Sequence, residues 1–219
     1  MTADPSTASP QTAYPQTIGA ILAGGLARRL GGGDKTLRLV GGQTVLARLI
    51  ERLRPGVTRM IINANDDPAR FADHGLPVVP DTLPDHPGPL AGVLAALDWT
   101  AASEPSIAWV VTIPGDAPFL PKDLVARLHE ARLREGARLA CAGSLGRTHP
   151  VVALWPVSIR DDLRHVLTER GIRRIDRFTE PYKRAVVEWD ATPVDPFFNV
   201  NTPEDLAEAD RLVRTYPGP

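Results

Sequence analysis

Short apolar runs alternate with amphipathic stretches along most of this chain. The runs are IGAIL (18–22), MIINA (60–64), PVV (77–79), AWVVTI (108–113), RLACA (138–142), VVALW (151–155) and AVVEW (185–189). Runs this short, bounded by Gly, Pro and Asp, suit strands buried on both faces of a sheet. Between them lie helical patterns. Thr44 is placed to cap a helix carrying Val45, Leu46, Leu49, Ile50 and Leu53. Further patterns run through Leu90, Val93, Leu94 and Leu97, and through Leu124, Val125 and Leu128. A helix pair around 158–178 and a last helix from Pro203 to Arg214 complete the set. Strand alternating with helix predicts a mostly parallel central sheet covered on both faces, a three-layer α/β fold. Residues 1–16 are rich in Pro, Ser and Thr with little to bury, so they read as a disordered tail. Residues 17–214 read as a single domain, with 215–219 as a C-terminal tail.

Composition narrows what such a fold could serve. At 219 residues the chain suffices for one sizeable α/β domain. Its 25 Lys and Arg nearly balance 26 Asp and Glu, so no global positive field exists to hold nucleic acid or an anionic membrane. An anionic ligand must be gripped locally. The first residues show no basic segment followed by an apolar run, and no apolar stretch is long enough to span a bilayer, so a cytoplasmic protein is expected. The single cysteine, Cys141, has no partner for an internal disulfide and sits in an apolar strand pattern.

In sheets of this kind ligands sit beyond the carboxyl ends of the strands. Four loops there carry unusual residues. LAGGLARRLGGGDK (22–35) follows the first strand; its five glycines allow close backbone approach, and Arg28, Arg29 and Lys35 add three cations. It is neither a P-loop nor a GxGxxG fingerprint, yet it has the makings of a phosphate cradle. IPGDAPFL (113–120) delivers one carboxylate, Asp116, to the sheet edge, which suits Mg²⁺ because that ion prefers one or two carboxylates plus phosphate oxygens. DTLPDHPGPLAGVLAAL, from Asp81, joins a stiff Pro87-Gly88-Pro89 turn to a helix whose first N–H groups can face an anion or a base edge, with Gly92 set for close packing. In FFNVNTPEDL (197–206), Thr202, Pro203 and Asp205 form a helix start with an acid one carbon short of the usual capping box. The cap does not account for Asn199 and Asn201, two apart and ahead of it, which could ligate Mg²⁺ or meet a second substrate. Arg147, Thr148 and His149 stand just before another strand.

These motifs, in this order, resemble the molybdenum cofactor guanylyltransferases, from Ile18 to about Arg211. LAGGLARRLGGGDK is similar to that family's opening loop, and PGPLAG, GDAP, HP and NVNTPED fall where its later motifs stand. The resemblance implies a Rossmann-like nucleotidyltransferase fold in which Leu22, Ala23, Gly24, Lys35, Asn63, Asp81 and Asp116 contact GTP, with Gly25 beside them. It also implies that Asp116 holds Mg²⁺, with Asn201 as a further ligand candidate. Relatives that use CTP tend to show AAG in the first loop and paired Asp in the last, where this chain has AGG and NVN. Leu30 stands where the family often has Met.

The reaction so implied is attack by the phosphate of molybdopterin on the α-phosphorus of GTP, expelling pyrophosphate. A phosphate is already an anionic nucleophile at neutral pH, so a catalytic triad is not required. Arg29, Lys35 and Mg²⁺ on Asp116 would neutralise developing charge. Arg147, His149, Asn199 and Asn201 are candidates for the molybdopterin half-site, and molybdoenzyme maturation proteins are candidate partners. The alternatives are a molybdopterin cytidylyltransferase, a sugar-phosphate nucleotidyltransferase, or a nucleotide-binding regulatory module without turnover.

Overall fold

A computed structural model describes residues 14–24, 35–83 and 88–216. Gly25, Arg28 and Arg29 of the first loop, Pro87 of the stiff turn, residues 1–13 of the expected tail and residues 217–219 lie outside the described residues.

The strands are β1 (Thr17–Leu22), β2 (Leu39–Val40), β3 (Gln43–Thr44), β4 (Arg59–Asn63), β5 (Val78–Val79), β6 (Trp109–Pro114), β7 (Leu139–Ser144), β8 (Arg147–Pro156) and β9 (Arg184–Trp189). The helices are α1 (Val45–Leu53), α2 (Pro89–Ser103), α3 (Leu124–Glu135), α4 (Arg160–Glu169), α5 (Ile175–Thr179) and α6 (Pro203–Thr215). Among the described residues one seven-stranded sheet runs β5-β4-β1-β6-β8-β7-β9, and β2 and β3 pair separately. Neighbours are parallel except at β8, which is antiparallel to both β6 and β7. The order turns around at β1 and β6, which lie side by side with Leu22 opposite Pro114. Such a reversal opens a crevice at the strands' carboxyl ends.

Alternation along each strand feeds two cores. Ile21, Ile62, Val111 and Leu154 meet α1 and α3 on one face, while Ile18, Ala20, Val110 and Trp155 meet α2, α4 and α5 on the other. The apolar stripe of α1 is the one read from the sequence, and the Thr44 hydroxyl caps it by accepting from the Ala47 N–H at 3.1 Å. Helix α2 is buried continuously from Leu90 to Leu97, as its mostly apolar sequence requires. At the β6–β8 junction the Trp155 indole donates to Thr112 Oγ1 (2.8 Å), and that hydroxyl donates onward to the Val151 carbonyl (2.6 Å). The polar atoms in mid-sheet are thereby satisfied.

Two features differ in detail from the sequence expectation. Arg147, Thr148 and His149 lie inside β8 rather than ahead of it. The turn into β8 places Leu145 at φ 52° and Gly146 at φ 70°, the two positive angles that a two-residue type I′ hairpin needs. Packing also begins earlier than Thr17. The Tyr14 hydroxyl donates to the Gly56 carbonyl at 3.2 Å and its ring stacks 5.2 Å from His129, so the last residues of the expected tail dock on α3. Among the described residues no helix is long and apolar enough to cross a membrane.

Candidate active site at the carboxyl edge of the sheet

Two cavities open along this edge. The first is lined by Leu22 and Gly24 after β1, Asn63 and Asn65 at and beyond the end of β4, Asp81 beyond β5, and Gly92 in the first turn of α2. The second is lined by His149 of β8 together with Phe197 and Asn199. Pro114 and Val151 belong to the walls of both, so the cavities are neighbours that share an apolar wall.

In the first cavity two amides orient the Asp81 carboxylate. Asn63 Nδ2 donates to its Oδ1 and Asn65 Nδ2 to its Oδ2, each at 2.9 Å, while the Asp81 N–H donates to Asn65 Oδ1 at 2.7 Å. Asn63 also donates to the Val79 carbonyl at 3.1 Å. Glycine at 92 makes this possible, because a Cβ there would collide with the Asn63 amide oxygen and lie 3.2 Å from its Cγ. The Ala23 N–H donates to the Asn63 carbonyl (2.8 Å) and the Gly115 N–H to the Leu22 carbonyl (3.0 Å), which fixes the start of the first loop against its neighbours. A Cβ at Gly115 would sit 2.6 Å from the Thr36 methyl and 3.1 Å from the Leu22 carbonyl oxygen, so the Lys35–Leu37 turn can close over the 114–116 loop only above a glycine.

That closure brings three candidate residues together. Lys35 Nζ donates to Asn201 Oδ1 at 2.7 Å and lies 3.9 Å from Asp116 Oδ2. The Val200 N–H donates to the Asp116 carbonyl at 2.8 Å, tying the NVN segment to the Asp116 loop. Asp116 Oδ1 is buried without a hydrogen-bond partner. Burial pushes this carboxyl above the usual Asp value; the Lys35 ammonium and its own backbone amide oppose the rise without cancelling it. A half-compensated carboxylate with an orphaned oxygen is a place that favours an added cation. The cap beyond it is complete after all: Asp205 Oδ2 accepts from both Asn201 and Thr202 N–H at 2.9 Å, and Thr202 Oγ1 accepts from the Asp205 N–H, because Asp reaches where Glu was expected.

The MobA-like NTP transferase domain family matches residues 19–185. The chain belongs to that family. It is 58% identical over 192 residues to a molybdenum cofactor guanylyltransferase of Rhodopseudomonas palustris (strain BisB5), covering 88% of this chain and 91% of that protein. It is 57% identical over 194 residues to one of Nitrobacter hamburgensis, covering 89% and 93%. The solved structure of molybdopterin-guanine dinucleotide biosynthesis protein A from Archaeoglobus fulgidus superposes with a TM-score of 0.70 at 23% identity, over 90% of this chain and 99% of that one. That likeness shows the shared fold, a Rossmann-like three-layer α/β architecture.

In this MobA-like chain Leu22, Gly24, Asn63 and Asp81 line the first cavity, and Ala23 is bonded behind them. Lys35, Asp116 and Asn201 form the charged cluster. The two asparagines of NVN part company: Asn201 meets Lys35, whereas Asn199 joins His149 in the second cavity. Arg147 is exposed at the hairpin end and is not among the residues lining that cavity. The sequence reading missed Asn65, although INAN displays it two residues after Asn63. It also missed Ser144 and Asp195. Ser144 Oγ lies 2.8 Å from His149 Nε2 and donates to Asp195 Oδ1 at 2.9 Å. A small hydroxyl inside a strand carries no pattern that marks it, though DPF at 195–197 has the look of an Asx turn, and Asp195 Oδ1 does accept from the Phe197 N–H at 3.0 Å.

Proposed function

We propose that this chain transfers GMP from Mg²⁺-GTP to the phosphate of molybdopterin, in the cytoplasm, releasing pyrophosphate and forming the guanine dinucleotide cofactor for molybdoenzyme maturation. The observation that carries this reading is the Lys35–Asn201–Asp116 cluster, with one buried Asp116 oxygen unpartnered, close to two cavities that share a wall. The names borne by relatives above 50% identity supply the substrates.

The residues fit Mg²⁺. Among the described residues no group of three or more His, Cys, Asp or Glu could cage a metal by itself, and Mg²⁺ needs none, since it is held by one or two carboxylates with phosphate oxygens and water. Asp116 Oδ1, with the Asn201 amide oxygen across Lys35 from that carboxylate, would hold the ion, which when bound would withdraw charge from the triphosphate. Lys35 has a second task. Its ammonium, set between Asp116 and Asn201, is placed to turn to the departing pyrophosphate, where fixed positive charge is worth most as negative charge builds. Asp81, held by two amides, offers a carboxylate acceptor to the N1–H and N2–H₂ donors of guanine or to a ribose hydroxyl. Gly25 and Arg29 complete the phosphate cradle in this reading. The second cavity, with His149, Phe197 and Asn199, takes molybdopterin, whose phosphate is already charged and needs no general base.

Pyrophosphate release measured with molybdopterin and each nucleoside triphosphate tests the assignment. We expect GTP to exceed CTP and ATP by at least about 100-fold in kcat/KM, because polar groups aimed at guanine are left unpaired by another base. Comparable values for CTP would refute guanylyl transfer.

A further inference from the structure

We propose that Ser144 and Asp195 are positioning residues that hold His149 as the Nε2–H tautomer, so that its Nδ1 accepts a hydrogen bond from an N–H donor on the acceptor's heterocycle. This rests on reading the second cavity as the molybdopterin half-site.

The assignment follows from counting protons. A carboxylate only accepts, so the single hydroxyl proton of Ser144 goes to Asp195 Oδ1 at 2.9 Å. Ser144 Oγ is then an acceptor toward His149, and at 2.8 Å from Nε2 the hydrogen of that contact must come from the ring. Asp195 cannot drift, because the same Oδ1 also accepts the Phe197 N–H at 3.0 Å. Ser144 is 1% exposed, so water cannot substitute for the chain. A neutral imidazole protonated at Nε2 presents a bare lone pair at Nδ1. Burial is the largest influence on this ring and keeps it neutral; Asp195 and Glu188 oppose that effect, and Arg147 adds to it.

The polarity of that lone pair decides which end of the acceptor it meets. A phosphate monoester is rich in acceptors and would be repelled, whereas an amino-substituted pyrimidinone edge offers donors. The walls agree with a flat ring. The His149 and Phe197 rings lie 4.7 Å apart, and Pro114, Val151 and Val152 add apolar surface. His149 therefore reads the heterocycle and leaves the phosphate to the Lys35 ammonium.

The test uses the full-length protein with Mg²⁺-GTP and molybdopterin, with 6-hydroxymethylpterin, which lacks the phosphate, as an inhibitor. Nitrogen-15 NMR of the histidine rings at neutral pH should show His149 protonated at Nε2 and bare at Nδ1. Finding it protonated at Nδ1, or on both nitrogens, overturns the proposal. Ser144→Ala and Asp195→Ala should each raise the inhibition constant of the pterin and the KM for molybdopterin about tenfold, the scale of one lost buried hydrogen bond. The KM for GTP should stay within twofold. Asp195→Asn keeps an oxygen for Ser144 and Phe197 and should behave as wild type, which a general packing defect would not reproduce. If His149→Ala leaves pterin inhibition unchanged while molybdopterin KM rises, His149 serves the phosphate end. The proposal then fails, although the half-site reading stands. If the wild type neither binds the pterin nor consumes molybdopterin, the half-site reading falls and this proposal with it.

Discussion

Gly92 offers a sharp test of how the first cavity is held, because one added carbon acts on it through a single side chain. In Gly92→Ala the new Cβ would meet Asn63 Oδ1 well inside contact distance, with Asn63 Cγ and Leu22 Cδ2 each 3.2 Å away. Asn63 has little room to retreat: it is 4% exposed and committed to Val79 and Asp81. Two effects compete. Alanine in place of glycine inside a helix gains about 1 kcal/mol. Overpacking costs about 1–3 kcal/mol, and disturbing the two Asn63 bonds costs about 1 kcal/mol each. The loss wins, by about 2–4 kcal/mol, and at roughly 2–4 °C per kcal/mol for a protein of this size the melting temperature should fall by about 4–16 °C. Because Asp81 loses one of its two amide partners, the KM for GTP should rise about tenfold while that for molybdopterin holds. Thermal unfolding and steady-state kinetics read both effects. A variant as stable as wild type with an unchanged GTP KM would show that the Asn63–Asp81 arrangement neither depends on Gly92 nor serves the nucleotide.

Asp116→Asn should separate stability from activity. A carboxyl whose folded pKa is raised contributes stability below its ordinary value near 3.8 and loses it as pH rises, so at neutral pH the ionised group is a cost. Without Mg²⁺ the Asn variant should therefore melt at or above the wild-type temperature, while turnover drops at least ~100-fold and Mg²⁺-GTP no longer stabilises it; a clearly lower melting temperature would contradict this reading. His129 predicts acid sensitivity at the opposite edge of the sheet. Burial, aided by Arg132, lowers its pKa from 6.5 to about 4, so its contribution is complete above pH 6.5 and is lost as pH falls toward 4, reaching roughly 3 kcal/mol. Chemical denaturation of wild type and His129→Gln across that range should show a shallower pH slope in the variant, and parallel slopes would exclude His129 as the source.

Most of the fold was legible because it is built from local signals. Buried strands such as IGAIL and AWVVTI, the Thr44 cap and the α1 stripe each declare themselves within a few residues. The direction of β8 did not, since VVALW reads alike in a parallel or an antiparallel strand, and the turn that reverses the chain uses Leu145 where turn chemistry favours Asn, Asp or Gly. At the site, Asp116, Lys35 and Asp81 stood out as charges beside glycines and strand ends. Residues that act through other residues were silent: Asn65, Ser144 and Asp195 acquire a role only when chain segments 16 to 51 positions apart meet. Spacing also suggested that Asn199 and Asn201 share a face, yet Lys35 claims Asn201 alone.

Pro114 and Val151 stand between the two cavities, and neither side chain has an atom able to accept a nucleotidyl group and pass it on. On the proposed reaction the consequence is one of handedness. Each covalent handover at phosphorus turns its configuration inside out, so a relay through the protein would invert it twice and restore the original. With no covalent relay the acceptor phosphate attacks directly and in line as pyrophosphate leaves, and the α-phosphorus is inverted once. The stereochemistry of every product molecule would thus record a direct handover, with no stop on a side chain.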